Sequence, residues 1–409
     1  MLAHWIWLAT RKSINETKKI ALLEHFGDPE DIYFADTASY AQVEGMTKEA
    51  AESLADKDLR EAEKILAQCM EKNIRICAYH DAAYPKRLKN IADPPVVLYY
   101  KGNLPDFDGN PVISVVGTRK ASAYGMTVAR RMGYQIARCG AIVVSGVASG
   151  IDSMSMVGGL TGGGTVVGVL GCGADEIYPA KNRSLYADTE RNGCLLTEFP
   201  PETPPYGYNF PKRNRIISGL ACGVLVVEAP EGSGSLITAR AAAEQGRDVF
   251  VVPGNIDVPT FAGSNALLRE GAIAVSSGWD IVSEYRALFP DKIRKDTVQL
   301  MPENADESLL NVAQTVEAPA KKKDRPKKEK KIIIDNASVA PYSDVVRPAV
   351  SLTQEEESLL GYLKAGERLV DDVIAESGLP AGKVLATLTL LEVKGMVRRL
   401  PGKRVAINQ

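Results

Sequence analysis

The sequence predicts an α/β protein whose central domain is a mostly parallel, doubly wound sheet. Short apolar runs rich in β-branched residues recur between residues 112 and 275, and helical segments separate most of them. Near-continuous apolar strands that alternate with helices are typical of parallel sheets covered on both faces. In such sheets a ligand binds outside the carboxyl ends of the strands. The runs fall at 112–116, 141–144, 165–170, 194–197, 224–228, 249–252 and 273–275.

Composition limits the class of protein. The 409 residues suggest about two or three domains, and the apolar content of 45% is enough for at least one large core. None of the six cysteines forms a C-x-x-C pair, which favours reduced thiols over a disulfide framework. All three histidines precede the central domain, so neither a zinc site nor a histidine-based triad is expected. The lack of a long apolar run predicts a cytoplasmic protein that does not associate with membranes.

Residues 1–75 predict a small helical domain. Ser13 and Glu16 have the spacing of a capping box, and Gly27 is placed to end the helix that follows. A valine–glycine turn and an alanine-rich helix at 43–55 resemble a helix-hairpin-helix, a unit that often holds a backbone phosphate. A plain helical packing domain is the alternative interpretation.

The segment between these helices and the main sheet predicts a transition from helix to strand. A helix is expected at 58–72 and a short strand at 74–77. The paired prolines 94 and 95 predict that residues 79–101 form a linker and then an edge strand, because proline cannot donate within a sheet.

A tight loop after the first central strand is the leading candidate for an anion site. The stretch Val112–Gly125, VISVVGTRKASAYG, predicts a strand, a turn at Gly117 and a helix that begins near Tyr124. Free backbone N–H groups and the positive end of the helix dipole favour a phosphate there. The spacing matches neither a dinucleotide fingerprint nor a P-loop. Arg119 stands beside those amides, which suits a phosphodiester better than a neutral substrate.

Five further loops at predicted strand ends carry glycine or basic residues. One of them delivers Lys181 and Asn182, and another presents a K-R-N-R cluster at 212–215. A single glycine loop is ordinary in an α/β fold, but two anion-type helix starts and a basic cluster on one rim favour polyanion binding. The loops are 145–152 (SGVASGID), 171–182 (GCGADEIYPAKN), 197–219 (TEFPPETPPYGYNFPKRNRIISG), 228–239 (EAPEGSGSLITA) and 251–257 (VVPGNID).

The charge balance of the central domain limits how it binds a polyanion. Residues 112–285 carry 14 basic and 15 acidic side chains, so binding depends on local placement rather than on a positive field. A groove with spaced phosphate contacts and few net charges suits a single strand of nucleic acid. Tyr206, Tyr208 and Phe210 flank the basic cluster and are placed to stack on bases. The alternative is that these rings are buried under the loop.

Asp152, Glu198 and Glu228 are the candidate catalytic carboxylates, because each stands at a predicted strand end. No second histidine, metal-ligand set or Ser–His pairing accompanies them. Carboxylates at helix starts are most often helix caps, so we expect no catalytic residue and no bound metal or cofactor.

Residues 289–350 interrupt the strand–helix pattern. The run AKKKDRPKKEKK at 320–331 carries eight basic and two acidic residues, which predicts a disordered basic linker. An auxiliary arm that binds nucleic acid is the alternative interpretation of the same run.

Residues 351–409 predict a winged helix, in which Thr353 and Glu356 form a capping box. The domain carries eight basic and eight acidic residues, and its third helix offers only Lys383 and Lys394, which is poor for reading a major groove. Contact with a protein and contact of the wing with phosphates both stay open. The predicted elements are helices at 354–364, 369–376 and 381–394 and a hairpin at 397–407.

Six motifs, in this order and spacing, resemble those of one protein family. They are GTRKASAYG, SGVASGID, YPAKN, FPKRNRIISG, EAPEGSGSLITARAAAEQGR and VPG. With the upstream YPKRL and DPPVVLYYKG, they make residues 79–278 similar to the DNA-processing protein A family (DprA, also called Smf). The helical N-terminal region and the winged helix resemble the three-part layout of that family more loosely.

The resemblance implies a Rossmann-like domain that binds single-stranded DNA, forms a homodimer and helps to load the recombinase RecA during natural transformation. It implies no catalytic activity. By motif, Arg119 corresponds to the loop arginine, Lys181 to the basic residue after Tyr-Pro, and residues 212–215 to the F-P-x-R-N-R segment. The family's dimer and RecA surface corresponds to residues 240–275. Met156 stands where the family commonly has a histidine, so a role for that histidine is absent here.

These arguments together give the predicted domains and the candidate contact residues. The domains are 1–75 (helical), 76–288 (Rossmann-like, DNA-binding), 289–350 (basic linker) and 351–409 (winged helix). The residues predicted to bind nucleic acid are Gly117, Arg119, Lys120, Ser122, Gly146, Lys181, Asn182, Phe210, Lys212, Arg213, Asn214, Arg215, Gly234 and Ser235.

Two other functions stay open at this point. A nucleotide-binding hydrolase of the phosphoribohydrolase type would use a similar fold and glycine loop. The loop E-G-S-G-S-L departs from the P-G-G-x-G-T-x-x-E arrangement, and Ala239–Ala243 stand where a catalytic glutamate would be expected. A DNA-dependent transcription regulator would act through the winged helix, and the weakly basic third helix argues against that function.

Overall fold

The computed structural model of the chain describes residues 2–11, 13–295, 354–363, 366–394, 396–400 and 404–407. They fall into two units, one holding the N-terminal helices and a large sheet and the other the C-terminal domain. The predicted linker beyond residue 295 and the predicted capping residue Thr353 lie outside the described residues.

Six helices precede the sheet and enclose an aromatic-rich core of their own. They are α1 (Leu2–Thr10), α2 (Glu16–Phe26), α3 (Pro29–Phe34), α4 (Thr37–Tyr40), α5 (Lys48–Ala55) and α6 (Arg60–Glu71). The capping box predicted at Ser13 is wrong, because the side chain that caps α2 belongs to Asn15. Gly27 ends α2 as predicted. α5 and α6 correspond to the helices expected within 43–55 and at 58–72.

A nine-stranded sheet forms the centre of the first unit. Its strands are β1 (Arg75–Ala78), β2 (Val97–Gly102), β3 (Val112–Val116), β4 (Ile142–Ser145), β5 (Val166–Val169), β6 (Gly193–Thr197), β7 (Gly223–Val226), β8 (Asp248–Val251) and β9 (Ile273–Ala274). Their order is β1-β2-β6-β5-β4-β3-β7-β8-β9, and β3 to β9 are parallel. The mostly parallel sheet is therefore confirmed, and every predicted central strand is present.

The segment predicted as an edge strand is internal. β2 pairs antiparallel with both β1 and β6, with Tyr99 opposite Ile76 on one side and Thr197 on the other. The edge of the sheet is β1 instead. The prediction was wrong because Pro94 and Pro95 precede the strand, so neither removes an N–H from its hydrogen-bonded ladder.

Helices cover both faces of the sheet, and the strands supply alternate residues to two cores. Those helices are α7 (Lys86–Lys89), α8 (Ala123–Arg138), α9 (Ile151–Thr161), α10 (Arg183–Asn192), α11 (Asn209–Leu220), α12 (Gly234–Glu244), α13 (Ala262–Arg269) and α14 (Gly278–Val282). Ile113 and Val115 pack with side chains of α8 and α9. Val112 and Val116 pack on the opposite face with side chains of α11 and α12.

The strand order reverses between β3 and β7. From β3 the chain continues through β4, β5 and β6 on one side, and β7 then pairs with the other side of β3. The loops after β3 and β7 lead to helices on opposite faces of the sheet, so a crevice opens beyond the carboxyl ends of these two strands. The loop predicted to hold an anion, residues 117–122, follows β3 and lies at this switch point.

α8 and α9 cross in close contact because small residues stand at the crossing. A Cβ atom at Gly158 would overlap the carbonyl oxygen of Arg130, and one at Gly133 would overlap the carbonyl oxygen of Ser155. The backbones of α8 and α9 are therefore in direct contact at these two glycines, which have no side chain to keep them apart.

A polar contact joins the N-terminal helices to the sheet domain. Lys72 Nζ, just beyond α6, lies 2.6 Å from Asp175 Oδ2 and 2.9 Å from Glu202 Oε1. Gln68 Nε2 donates to the other Glu202 oxygen at 2.6 Å. The hydrogen bond from Lys72 lowers the pKa of Glu202. Burial opposes a low pKa at Asp175, but hydrogen bonds from Lys72 and from the Glu202 N–H lower it overall.

The second unit has the elements of the predicted winged helix. A small core that includes Leu359, Val373, Leu388 and Val405 joins its helices to its sheet. The elements are α15 (Gln354–Leu363), β10 (Arg368–Leu369), α16 (Val370–Ser377), α17 (Ala381–Val393), β11 (Val397–Leu400) and β12 (Arg404–Ile407). β12 lies between β10 and β11, and β11 and β12 form the predicted hairpin.

The close crossing of α8 and α9 predicts that Gly158→Ala destabilises the first unit. Alanine favours a helix by about 1 kcal/mol, but its methyl group would force two backbones apart, so we expect a net loss of about 1–3 kcal/mol. Urea unfolding followed by circular dichroism measures this loss. Gly207→Ala is the control, because a Cβ atom there meets nothing within 4 Å. Equal stability of both variants would contradict the close packing.

The Lys72 contact predicts a pH-dependent link between the N-terminal helices and the sheet domain. The pKa values of Glu202 and Asp175 are lower in the folded protein than in the unfolded chain, where they are about 4. The two carboxylates therefore stabilise the fold fully above about pH 4. This stabilisation is lost as the pH falls through the pKa values of the folded state. Lys72→Met should therefore lower the free energy of unfolding at pH 7. In acid, where the two carboxylates become protonated, the variant and the wild type should differ less in this free energy. Lys48→Met, which removes an exposed lysine 3.9 Å from Glu52, is the control. A difference independent of pH, measured by urea unfolding, would argue against the link.

Candidate nucleic-acid interface

The loops after β3 and β7 are bonded to each other at the switch point. The Thr118 N–H donates to the carbonyl oxygen of Glu228 at 2.7 Å, and the Ile151 N–H donates to the carbonyl oxygen of Thr118 at 3.3 Å. Two residues, Glu228 after β7 and Ile151 at the start of α9, therefore fix the first half of the loop that carries Arg119.

The carboxylate of Glu228 occupies the N-terminus of α8. Its oxygens accept hydrogen bonds from the Ser122 N–H at 3.1 Å and from the Ser122 hydroxyl at 2.8 Å. The Ser122 hydroxyl in turn accepts from the Gly125 N–H at 3.0 Å, and a Cβ atom at Gly125 would overlap Glu228. The anion that the sequence predicts at this helix start is thus a side chain of the protein. Ser122 is a helix cap and not a contact residue of the cleft.

Arg119 and Lys120 are exposed at the tip of the same loop. The Arg119 guanidinium carbon lies 4.9 Å from the centroid of the Phe210 ring, and the Tyr178 ring lies 5.4 Å from the same centroid. A cation above an aromatic ring is attracted by the negative face of the ring. The arrangement places a positive charge and a partly exposed aromatic surface side by side.

Arg213 is buried beneath Phe210 and organises the ends of β4 and β5. Its guanidinium donates to the carbonyl oxygens of Gly146, at 2.9 Å, and Val169. The Gly146 N–H donates to Asp152 Oδ2 at 3.1 Å. Burial raises the pKa of Asp152, and the charge of Arg213 partly offsets that effect. Arg213 and Gly146 therefore hold the ends of β4 and β5 together, and the Gly146 N–H is already bonded to Asp152.

Arg215 and Lys212 lie away from Arg213, around the carboxylate of Glu198. Arg215 Nη2 donates to Glu198 Oε2 at 2.6 Å, and Arg215 Nε lies 2.8 Å from Asp93 Oδ2. Lys212 Nζ lies 3.7 Å from Glu198 Oε2 and is half exposed. Burial raises the pKa of Glu198, while the two cations lower it. The predicted K-R-N-R cluster is thus divided, and Arg215 is buried in an ion pair.

Asn182 and Lys181 are also outside the cleft. Asn182 is fully buried, and its side-chain N–H₂ donates to the carbonyl oxygen of Val147 at 2.8 Å. Val147 has a φ of 55°, so this bond supports an uncommon backbone conformation. Lys181 is exposed but does not line the cleft. Buried Asn182 cannot reach a bound strand, which corrects its predicted role.

The resulting switch-point cleft has a volume of about 730 Å³. The predicted residues that line it are Gly117, Arg119, Lys120, Phe210, Arg213, Asn214, Gly234 and Ser235. The sequence prediction omitted Tyr178, although its place in the YPAKN motif could have indicated it. It also omitted the polar lining residues Thr118, Glu231, Ser233 and Thr238. Asn214 Nδ2 donates to the carbonyl oxygen of Gly234 at 3.3 Å, which joins α11 to the second glycine loop.

Three basic side chains of the winged helix are paired with acids of the same unit. The pairs are Lys394 with Glu356 (2.7 Å), Arg404 with Glu367 (2.7 Å), and Arg368 with Glu376. The sequence predicts two cations for the third helix, Lys383 and Lys394, and Lys394 is paired with Glu356. The helix therefore offers little positive charge for contact with a DNA major groove.

Two general properties of the described residues bear on function. No cluster of three or more histidine, cysteine or acidic side chains that could hold a metal ion occurs among them. None of the helices in the described ranges is long and apolar enough to cross a membrane.

Fold and cleft together fit the class of Rossmann-like proteins that process DNA. A family model described as DNA recombination-mediator protein A matches residues 75–286, and a DprA winged-helix model matches residues 344–403. The chain therefore belongs to the DNA recombination-mediator protein A family, which confirms the resemblance of the six motifs.

Relatives and a solved structure agree with this assignment. DNA processing protein DprA of Bacillus subtilis is 44% identical over 54% of this chain and 74% of that protein. Protein Smf of Synechocystis is 30% identical over 98% of both chains. The X-ray structure of DNA processing protein A from Streptococcus pneumoniae aligns with a TM-score of 0.62 and 32% identity, over 69% of this chain and 98% of that structure.

The Glu228 cap predicts that removing its carboxylate destabilises the switch point. Glu228→Ala leaves two partly buried donors of Ser122 without their acceptor, and we expect a loss of about 1–3 kcal/mol. Glu228→Gln keeps an acceptor oxygen and should lose less, mainly the charge at the helix N-terminus, which contributes about 0.3–1 kcal/mol. Thermal and urea unfolding measure both variants. If Glu228→Gln lost as much stability as Glu228→Ala, the proposed role of the acceptor oxygen would be contradicted.

Proposed function

We propose that this protein binds single-stranded DNA in the switch-point cleft and acts there as a recombination mediator. The observation that carries the proposal is the Arg119–Phe210 pair, a cation and a partly exposed ring that line the same cleft. Arginine suits the phosphates of the strand, and an aromatic ring suits its unpaired bases. Lys120 adds a second exposed cation at the same edge.

The charges of the cleft favour a single strand over a duplex. Its exposed charged residues are Arg119, Lys120 and Glu231, and the buried Arg213 and Asp152 offset each other. Duplex binding without sequence readout depends on neutralising many phosphates, and this cleft offers few cations for that purpose. Ring surfaces attract bases that are already unstacked, which is the condition of a single strand.

Family membership supports the wider part of the proposal. We infer that the protein forms a homodimer and assists the loading of RecA onto single-stranded DNA during natural transformation or DNA uptake. This inference rests on the family to which the chain belongs and on the motifs that it shares. The cleft itself is the part of the proposal that the geometry supports directly.

We infer further that the cleft binds its ligand without catalysing a reaction. Each candidate carboxylate is engaged by neighbouring donors of the fold: Asp152 by the Gly146 N–H, Glu198 by Arg215, and Glu228 by Ser122. A phosphoribohydrolase would need a catalytic glutamate on α12, but residues 239–243 of that helix, where it would be expected, are Ala-Arg-Ala-Ala-Ala. Incubation with nucleoside monophosphates should release no free base, and release would favour the hydrolase.

The proposal predicts that Arg119→Ala weakens binding of single strands of any sequence. Losing one phosphate contact should reduce affinity about tenfold and reduce the slope of log K against log salt by about 0.7. Fluorescence anisotropy of labelled oligothymidine at several salt concentrations measures both quantities. A duplex of the same length should bind more weakly to the wild type.

A matched variant separates this contact from a general change of charge. Arg286→Ala also removes an exposed arginine, but one that does not line the cleft. We expect it to bind as the wild type does. If Arg119→Ala kept full affinity and slope, or if Arg286→Ala lost as much, the cleft would not be the binding site.

A further inference from the structure

The loop before α11 separates the switch-point cleft from a second cleft. The second cleft has a volume of about 990 Å³ and lies between this loop and the N-terminal helices. The loop contributes residues to both: Pro205, Gly207 and Phe210 line the switch-point cleft, whereas Pro204, Tyr206 and Tyr208 line the second. One short segment therefore presents aromatic rings in two directions.

Tyr206 and Tyr208 stack on each other in the second cleft. Their ring centroids are 5.4 Å apart, and the angle between the ring planes is 10°. Tyr206 is 48% exposed and Tyr208 is 72% exposed, so the alternative that these rings are buried under the loop is wrong. Mutual stacking covers one face of each ring and leaves much of the remaining aromatic surface in water, where a flat partner could cover it.

The loop that carries the two rings is held in shape by its own hydrogen bonds. The Tyr206 N–H donates to the carbonyl oxygen of Pro204 at 2.8 Å, and the Asn209 N–H donates to the carbonyl oxygen of Tyr206 at 3.0 Å. Prolines at 204, 205 and 211 further restrict the backbone. A ligand that stacks on preorganised rings loses less binding free energy to ordering the loop.

The charges around the second cleft do not repel a polyanion strongly. Four of its five acidic side chains are paired with cations: Glu16 with Lys19 (2.8 Å), Glu198 with Arg215 (2.6 Å), Asp93 with Arg215 (2.8 Å) and Glu202 with Lys72 (2.9 Å). Glu61 is the fifth. Lys212 lines the same cleft and is 48% exposed, which makes it available to a phosphate beside the rings.

We propose that Tyr206 and Tyr208 form a second base-stacking platform for the strand held in the switch-point cleft. The inference rests on the proposed function, since it extends the path of the same strand across the loop. Phe210 is two residues beyond Tyr208 and lines the other side, so a strand that crosses here passes from one aromatic surface to the next. The ligands of the platform are unpaired bases of any sequence, because stacking uses the ring face that every base has.

The test compares two pairs of substitutions at the platform. Tyr206→Ala with Tyr208→Ala removes both rings, whereas Tyr206→Phe with Tyr208→Phe keeps them. We expect the Ala pair to bind an oligothymidine of about 20 nucleotides about tenfold more weakly, and the Phe pair to bind it as the wild type does. Tyrosine is uncharged, so the salt slope should not change, in contrast to Arg119→Ala.

A short strand shows whether the loss arises at the platform. An oligothymidine of about five nucleotides fills only part of such a path, so the Ala pair should bind it with wild-type affinity. Equal losses for short and long strands would indicate a deformed loop and overturn the platform, as would an Ala pair that binds both strands normally. Failure of the wild type to bind either strand, or indifference to Arg119→Ala, would overturn the proposed function itself.

Cross-linking gives an independent measurement on the unmutated protein. A long oligonucleotide that carries bromouracil, irradiated in complex with the full chain, should attach to Tyr206 or Tyr208 as well as to residues of the switch-point cleft. Mass spectrometry of the digested complex locates the attachment sites. Cross-links confined to the switch-point cleft would contradict a second platform.

Discussion

The shape of the switch-point cleft depends on one buried residue, Glu228. Its carbonyl oxygen accepts from the Thr118 N–H and its carboxylate from the Ser122 N–H and hydroxyl, so both ends of the loop after β3 are bound to one residue after β7. Buried donors without acceptors are costly, so this loop has little freedom to shift. Arg119 lies between the two fixed points, and its position over Phe210 follows from them. The carboxylate also takes the helix N-terminus that a phosphate would otherwise occupy.

The basic cluster at 212–215 shows how a helix distributes side chains that are adjacent in sequence. Successive residues of α11 point about 100° apart, so Lys212, Arg213 and Arg215 leave the helix in different directions. A buried guanidinium is retained only where acceptors meet it. Arg213 meets the carbonyl oxygens at the ends of β4 and β5, and Arg215 meets Glu198. Two of the three cations therefore stabilise the fold, and Lys212 is left with half of its side chain in solvent.

The same physics explains how much the sequence could predict. Each central strand was found from its apolar run, because strands covered on both faces must be apolar throughout. The glycine loop, Arg119 and Phe210 followed from strand ends and motifs. The roles of Asn182, Arg213 and Glu228 did not, because a polar residue at a strand end looks the same in sequence whether it faces a ligand or a buried carbonyl. The internal position of β2 depends on pairing with β6, nearly 100 residues later, which no local pattern encodes.

These placements decide what kind of binding the cleft can support. Because the fold uses Arg213 and Arg215 internally, the exposed cations lining the described cleft are Arg119 and Lys120. At about 0.7 counterions released per contact, two cations give a shallow dependence on salt. In the proposed complex, charge therefore supplies the smaller share of the affinity, and ring stacking, at about 1–3 kcal/mol per base, contributes the larger share. We infer that such a surface binds unstacked bases of any sequence, and so distinguishes single strands from duplexes without recognising a base sequence.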